Sequence, residues 1–485
     1  MARFSFLVAG AVALASTNGV FGALPTLVER IAAKECSDVS VPDDKSFFPE
    51  EKQVETSVEL AKLFDIHYAK TFKVIESKMA KEQYVLTQCG QATPSEADVN
   101  KTVALEPGYI RKYFSVPVQA VMSGSTVHLG FLESLGVEDR VSYVSEYATG
   151  PCWLKALDCS AKYDDKKLAS QTAEVDVVFM DCGMDCSNVN KETKGVHVPT
   201  SQDAGALQTA EYVKFLAAFF NKEQEANTLF TTASTKYTQA ANSASTSPVV
   251  AFIQYTAYGG PSWNRKEFDI SLAHYKTELI SGAGGTNFDV DDIKNIDGVL
   301  TETKASGTTL VFEASDKVAA AGKLAAALAN VDVVIDETYA FDAKGYTMDS
   351  FYDTYNLDST STLKFIKNKM VIRIDRTLGP SGNDWFESRL ASPEGAVVGL
   401  AHVLYKDSSK TPKYFRNIAL GEMPDPSLSK EQCTTALPVC ATDTDAQFIV
   451  QEGPWDITAS ASDAPAVGGA ATSLILALVG AVRFA

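Results

Sequence analysis

The chain has 485 residues, room for two or three domains, and 45% of them are apolar, enough for sizeable cores. Lys and Arg number 43 against 61 Asp and Glu, a net charge of −18, and no basic tract interrupts this acidity. That balance argues against nucleic acid as a partner.

In chain order, residues 1–22 carry Arg3, an apolar run and then small residues, the pattern of a secretory signal peptide cleaved after Gly22. Residues 23–82 read as a helical extension. Within it, Val58, Leu60, Leu63, Phe64, Tyr68, Phe72 and Ile75 give 56–81 an amphipathic pattern. From 83 to 202, strand-like runs at 84–86, 115–122, 141–144 and 175–180 alternate with helical stretches. One such helix is 126–135, closed by Gly136. The alternation predicts an α/β lobe with a parallel or mixed sheet.

The stretch 203–246 has no proline and a single glycine, Gly205. Val213, Leu216, Phe220, Ala226, Phe230, Ala233, Tyr237 and Ala240 step mostly by three and four. This predicts one helix of ~60 Å, at ~1.5 Å per residue, acting as a rigid spine between two lobes. Pro248 then opens a second α/β lobe, 247–425. Its strands are expected at 249–255, 309–312, 332–335 and 369–374. Its helices are expected at 270–281, 318–329 and 385–405, the last interrupted near Pro393.

A loop-rich tail, 426–462, follows. At its end, Ser460 and Ser462 precede a short Gly/Ala spacer and the apolar stretch within 463–485. That is the order of a glycosylphosphatidylinositol attachment signal, with Ser460 and Ser462 as attachment candidates. The expected location is the extracellular face of the plasma membrane, through a lipid anchor.

Eight cysteines, an even number, suit disulfides in a secreted chain: Cys36, Cys89, Cys152, Cys159, Cys182, Cys186, Cys433 and Cys440. Proximity in sequence favours Cys433–Cys440 first, then Cys152–Cys159 and Cys182–Cys186. Asn100-Lys101-Thr102 is a sequon, so Asn100 is a glycosylation candidate.

Three phrases carry a family resemblance. They are the run from Glu211 to Asn227 followed by Pro248-Val-Val-Ala-Phe-Ile, the turn from Glu278 to Asn287, and Asp384-Trp-Phe-Glu-Ser-Arg389. Together they resemble class III periplasmic binding proteins, the substrate-binding components of bacterial iron–siderophore and cobalamin importers. The resemblance spans roughly residues 80–425. It implies two α/β lobes joined by one long helix, with a ligand held in the interlobe cleft and no covalent chemistry. The N-terminal extension, the cysteines and the anchor-like tail depart from that family.

In such a fold the ligand-facing residues lie on loops at strand ends. Glu146, Tyr147 and Trp153 follow 141–144, and Tyr258, Trp263 and Arg265 follow 249–255. Tyr339 and Phe341 follow 332–335, and Arg376 and Trp385 follow 369–374. Aromatics with a few cations suit a bulky organic chelate through stacking and charge pairing.

Direct metal ligation is disfavoured, since His67, His128, His197, His274 and His402 are scattered along the chain. There is no GxSxG elbow, and Gly282–Gly285 is not followed by the Lys-Ser/Thr of a phosphate loop. The reading is therefore a non-enzymatic solute receptor for a small-molecule ligand such as a ferric siderophore. No cofactor is expected, and iron enters only inside a chelate. Two alternatives stand. One is a surface hydrolase for wall polysaccharide, working through a carboxylate pair. The other is a structural or adhesive protein whose cleft is filled by Trp153, Trp263 and Trp385.

Overall fold

A computed structural model describes residues 56–181, 193–240, 247–260, 263–304, 306–407, 409–425 and 428–440, with the side chains of 258–264 excepted. The predicted signal peptide, Cys36, Cys182, Cys186, Ser460 and Ser462 lie outside the described residues. Three sheets and their flanking helices make a mixed α/β fold.

The first sheet replaces the helix expected over 56–81. Strands β1 (Phe64–Tyr68), β2 (Phe72–Ser77) and β3 (Glu82–Gln88) pair antiparallel, and β4 (Ile110–Val116) joins β3 in parallel. Phe64-Ile66-Tyr68 and Phe72-Val74 alternate with period two, and cross-strand pairing outweighs the weaker helical spacing. The segment before β1 is held extended by two buried carboxylates. Glu211 accepts the N–H groups of Glu59, Leu60 and Ala61 at 2.9, 2.7 and 2.7 Å, and Asp203 accepts those of Lys62 and Leu63 at 2.9 and 3.2 Å. These N–H groups are thus satisfied without a helix.

The expected strand at 115–122 is split at Pro117, which cannot donate to a ladder. Its second half, β5 (Val121–Ser123), belongs to another sheet with β6 (Val141–Val144), β7 (Val177–Met180) and β8 (Gly195–His197). The order is β6-β5-β7-β8, all parallel.

The single spine expected over 203–246 is three helices: Ala206–Ala210, Tyr212–Ala218 and Glu223–Ala240. The chain breaks at Asn221, which has φ 55°. The N–H of Lys222 closes back on the Ala217 carbonyl at 3.1 Å, a helix stop of Schellman type. Asn221 is fixed there by the first sheet. Its side chain accepts from Lys73 Nζ at 2.9 Å and donates to Gln88 Oε1 at 2.8 Å, while Lys73 also pairs with buried Glu223.

The helix before the break is buried on every side. Phe215 and Phe219 stack within a cluster holding Phe64, Tyr84, Phe114 and Phe179, between the first two sheets. The helix after the break crosses between lobes. Ala226 and Phe230 lie in the first core, and Tyr237 lies in a core of the second lobe.

The third sheet is built on β9 (Val249–Gly260) and β10 (Trp263–Ala273), with β11 (Thr286–Asn287) beside the start of β9. Strands β12 (Val299–Lys304), β13 (Gly307–Glu313), β14 (Val333–Asp336), β15 (Val371–Arg373) and β16 (Arg416–Asn417) complete it in the order β12-β13-β10-β9-β14-β15-β16. β9, β14 and β15 run parallel, and the remaining main-path strands are antiparallel additions. The helix expected over 270–281 starts only at His274 (His274–Gly282), because Phe268 and Ile270 alternate into the sheet core.

The disulfides correct two of the local pairings, Cys433–Cys440 and Cys152–Cys159. Cys152 bonds Cys433 and Cys159 bonds Cys440, each across 281 residues. Cys152 lies in the Pro151–Asp158 helix and Cys159 is its C-cap. Seven residues are close to two full turns, so the two thiols share one face, and the tail repeats the same spacing. The bridges therefore run side by side between helix and tail, returning residues 433–440 to the first lobe.

Their energies should not add. Losing either bridge leaves the long ring closed and opens only the small ring between them, costing on the order of 3 kcal/mol. Losing both opens the long ring. Denaturant unfolding of Cys159→Ser/Cys440→Ser, Cys152→Ser/Cys433→Ser and the fourfold variant is expected to show a fourfold loss larger than the sum of the other two. Simple additivity would contradict the parallel arrangement.

Candidate functional site

Parallel strands deliver their loops at their carboxyl ends, and here two such ends face each other. The loop after β6, 145–150, meets the segment after β15, 374–387. Glu387 Oε2 accepts the N–H of Thr149 at 2.7 Å and Glu387 Oε1 accepts that of Gly150 at 2.8 Å. Thr149 Oγ1 donates to Asp384 Oδ1 at 3.0 Å.

Glycines allow the approach. A Cβ on Gly382 would sit 1.9 Å from the Tyr147 carbonyl oxygen, and one on Gly130 would sit 2.6 Å from the Glu387 carbonyl oxygen. Gly130 lies on the Leu129–Ser134 helix, which packs on the Ser388–Ala391 helix. Leu390 completes the first lobe's core while Trp385, a few residues earlier, sits in the second lobe's. The 384–391 segment thus belongs to both lobes.

More charge gathers at this seam. Lys413 Nζ lies 3.0 Å from Asp384 Oδ2 and donates to Ser388 Oγ at 2.6 Å, and Ser388 Oγ is 2.9 Å from the Tyr414 hydroxyl. Burial, then the charge of Asp384, pushes the Glu387 carboxyl up to about 8 against its two N–H donors. Burial, then Glu138 and Asp384, pushes Glu133 up to about 7.

Beside the seam, the β14–β15–β16 end carries a buried lattice of two arginines and two aspartates. Arg373 donates to Asp336 and Asp375, each at 2.7 Å, and Arg416 Nε donates to Asp375 Oδ1 at 2.5 Å. Tyr355 and the Thr338 N–H add bonds to Asp336 Oδ1 at 2.8 and 2.9 Å. The two positive and two negative groups neutralise one another, which makes their burial tolerable.

The lattice also braces the next loop. Arg373 Nη2 holds the Thr338 carbonyl at 2.9 Å, and Arg416 Nη2 holds those of Ala343 and Tyr346 at 2.9 and 3.2 Å. Between these anchors the tip carries Tyr339, 50% exposed, and Phe341, 90% exposed, edge to face at 5.1 Å. From the same end, β9 continues through Gln254–Gly260 beyond its pairing with Asp336. At ~3.3 Å per residue that is an arm of about 20 Å.

The residues expected at the site fall into distinct environments. Tyr147 and Tyr339 are exposed on strand-end loops, and Tyr147 stands beside the seam. Arg376 pairs with Glu422 at 2.7 Å, and Glu146 pairs with Lys162 at 2.8 Å on the surface. Arg265 lies on the β10 side of the arm and pairs with Glu267 and Glu302. Tyr258 and Trp263 lie in the arm's strands, with side chains outside the described residues. Trp153 and Trp385 are fully buried in different cores and present no face to a ligand in this conformation.

Reasoning from sequence passes over Glu133, Glu387 and Lys413. The available signal was two carboxylates, Asp384 and Glu387, flanking the aromatic pair Trp385-Phe386. Asn100 is exposed on the Glu96–Thr102 helix, where Arg111 donates to its Oδ1 at 3.1 and 3.2 Å. A depression of about 330 Å³, lined in part by Pro248, Asp332, Met370 and Lys406, lies at the opposite end of β9, β14 and β15. Among the described residues, no three His, Cys, Asp or Glu side chains are placed to hold a metal ion, and no helix is long and apolar enough to cross a membrane.

No protein-family model and no curated sequence matches the chain. Solved structures similar to it include a periplasmic heme-binding protein from Pseudomonas aeruginosa, at TM-score 0.42 and 13% identity, covering 62% of this chain and 98% of that one. The petrobactin-binding protein YclQ from Bacillus subtilis aligns at TM-score 0.39 and 13% identity, covering 61% of this chain and 93% of that one. The periplasmic heme-binding protein HutB of Vibrio cholerae aligns at TM-score 0.39 and 12% identity, covering 59% and 98% respectively. At such identities no ligand-contacting residue carries over from them.

The glycine contacts give a two-sided test. Gly382→Ala forces a methyl into the Tyr147 carbonyl and is expected to cost about 1–3 kcal/mol in denaturant unfolding. Gly322→Ala, on an exposed helix position with nothing within 4 Å, is expected to stabilise by up to about 1 kcal/mol. A neutral Gly382→Ala would mean that the two loops do not meet as described.

Proposed function

We propose that the protein is a solute-binding receptor that captures a bulky organic ligand at the facing strand ends of its two lobes. One observation carries this reading. An exposed aromatic pair, Tyr339 and Phe341, is held out by a loop whose anchors are fixed to a buried charge lattice. Exposed aromatics are costly to leave in water, and a braced loop loses little entropy on binding, so the pair is preorganised for a flat conjugated surface. A metal chelate with aromatic or conjugated donor groups fits that description, and iron would arrive inside it.

The alternatives find less support. A hydrolase needs a carboxylate pair open to substrate. Both oxygens of Glu387 are taken by backbone N–H groups, and the side chain is fully buried. The Ser123–His128 contact, Oγ to Nδ1 at 3.1 Å, is sealed from solvent, and the hydroxyl donates to the Ser125 carbonyl. A cleft packed with tryptophan is not supported by Trp153 and Trp385, which lie in separate cores.

Capture without large lobe closure follows from the tethers. The connector helices, the 384–391 segment and the disulfide-bonded tail each join the lobes. We further propose display on the outer cell surface through the lipid anchor suggested by the tail, with a glycan at Asn100.

The test of binding is a fluorescence titration with a ferric hydroxamate, a ferric catecholate, heme and cobalamin. Phe341→Ala and Tyr339→Ala should each weaken the responsive ligand roughly five- to tenfold, about 1 kcal/mol, with an unchanged melting temperature. No saturable response to any of the four would sink the reading. The anchor has its own test: a phosphatidylinositol-specific phospholipase should release the protein from cells, and retention would remove the lipid-anchor proposal.

A further inference from the structure

β9 outruns its neighbour on one side. It pairs with β14 only as far as Ile253, opposite Asp336, yet pairs with β10 as far as Gly260, opposite Trp263. The register decides which backbone groups are left over. Ile253 turns its carbonyl to the β14 side, where it accepts the Glu337 N–H at 2.9 Å. Two residues on, the Tyr255 N–H is capped on that side by Thr338 Oγ1 at 2.9 Å. In an antiparallel pair, alternate residues bond the partner strand and the others point away from it. Ala257 therefore aims its N–H and C=O to the β14 side, beyond the point where β14 stops. Lys266, opposite Ala257, shows the same alternation, since its carbonyl faces away from β9 and accepts the Ala314 N–H at 2.8 Å. Ala257 is exposed, and among the described residues no hydrogen bond reaches its N–H. Gly259 repeats the orientation two residues further along the arm.

One face beside this edge is positive. Tyr255 and Ala257 share it with their cross-strand partners Phe268 and Lys266. Lys266 is exposed there, and Lys317 Nζ stands 4.9 Å from the centre of the Tyr255 ring. Arg265, Glu267 and Glu302 pair with one another on the opposite face. Two ammoniums on one face are a local exception in a chain of net charge −18.

We propose that the free edge of β9 takes an acidic oligopeptide in extended form, added as a short strand in line with β14. The peptide's own N–H and C=O groups meet those of Ala257. A carboxylate side chain on the Ala257 face meets Lys266 across a side chain that is only a methyl group. Main-chain bonds to an open sheet edge supply affinity, and contacts to alternate side chains supply selectivity. The size of the edge limits the occupant. From Tyr255 to Gly259 it runs about 13 Å at ~3.3 Å per residue, room for about four or five peptide residues. A stable dimer buries on the order of 1,200–2,000 Å², far more than so short an edge covers, so a free peptide fits it and a second copy of the chain does not. The edge and its peptide do not depend on chelate capture.

The experiment is fluorescence anisotropy of the full chain with end-blocked, dye-labelled pentapeptides carrying Glu, Lys, Phe or Leu at alternate positions. Saturable binding is expected, with the Glu peptides at least about fivefold tighter than the Lys peptides. N-methylating alternate amides of the tightest peptide should weaken it at least about tenfold in one phase and little in the other, because only every second amide of a strand faces the edge. Ala257→Pro removes one N–H from an unpaired edge and should weaken binding to a similar degree with an unchanged melting temperature. Lys266→Ala should erase the preference for Glu over Lys. No saturable binding by any of the peptides overturns the proposal, as does an equal response to the two methylation phases. If Ala257→Pro lowers the melting temperature, the methylated peptides on the unaltered protein decide alone. A concentration-dependent dimer that Ala257→Pro dissolves would give the edge to a second copy and overturn the peptide. Peptide binding without a response to any of the four chelates keeps the edge and loses only the chelate reading, and the converse loses only the edge.

Discussion

The two lobes meet through a carboxylate held by two consecutive backbone N–H groups. Glu387 can reach Thr149 and Gly150 because glycines at 130 and 382 let backbone pass close to backbone. A side chain at either glycine would hold the loops apart and leave those N–H groups without their partner. Everything at the facing strand ends depends on that approach. It sets where the loops after β6 and β15 stand, and it fixes the 384–391 segment that places Leu390 in one core and Trp385 in another. The contact is specific but not cheap. A carboxyl is taken from water into a seam that already contains Asp384 and Glu133, so its protonation state is part of the fold.

The same device recurs where the first sheet begins. Glu211 and Asp203 hold five N–H groups between Glu59 and Leu63. Lys214 supports Glu211 at 2.8 Å and also reaches the Ser57 carbonyl at 2.8 Å. In each case a buried charge on a helix or turn fixes a stretch of chain distant in sequence. Buried ion pairs such as Lys73–Glu223 are weak evidence for net stability, since desolvation offsets much of their attraction. They do select one arrangement, because any other register leaves the charges unpartnered. The break at Asn221 is such a selection, a helix stop that faces Lys73 and Gln88 of the first sheet.

This explains which parts of the structure are legible in sequence. Strands β6, β7, β9 and β14 are readable because β-branched runs bounded by polar turns need no distant partner to be recognised. The helix closed by Gly136 is readable because its stop is local, at φ 64°. The break at Asn221 is not, since an asparagine inside a three–four pattern looks like ordinary helix surface and its partner Lys73 is 148 residues away. The two parallel disulfides hide for the same reason. A seven-residue spacing in each half suggests local loops, yet it marks one helix face matched to one stretch of tail. At the candidate site, loop aromatics are legible as a class but not one by one. Trp153 and Trp385 follow strands just as Tyr339 does, and only packing shows that the tryptophans face inward and the tyrosine outward. Glu387 is unreadable in advance, because its role is defined by amides 237 and 238 residues earlier.

The arginine–aspartate lattice and the seam divide the work at the strand ends. The lattice is balanced: Arg373 and Arg416 meet Asp336 and Asp375, two positive charges with two negative ones. The seam is held differently, by the Glu387 carboxylate on two backbone N–H groups and by the Asp384–Lys413 pair. One side of the face is therefore braced by a side-chain lattice and the other by side-chain bonds to backbone. Rigidity suits the binding role proposed for Tyr339 and Phe341, since ordering exposed aromatics on binding would consume affinity. Where the lobes touch, the Glu387 contact adds to the connector helices and the disulfide-bonded tail, so three separate links oppose their parting.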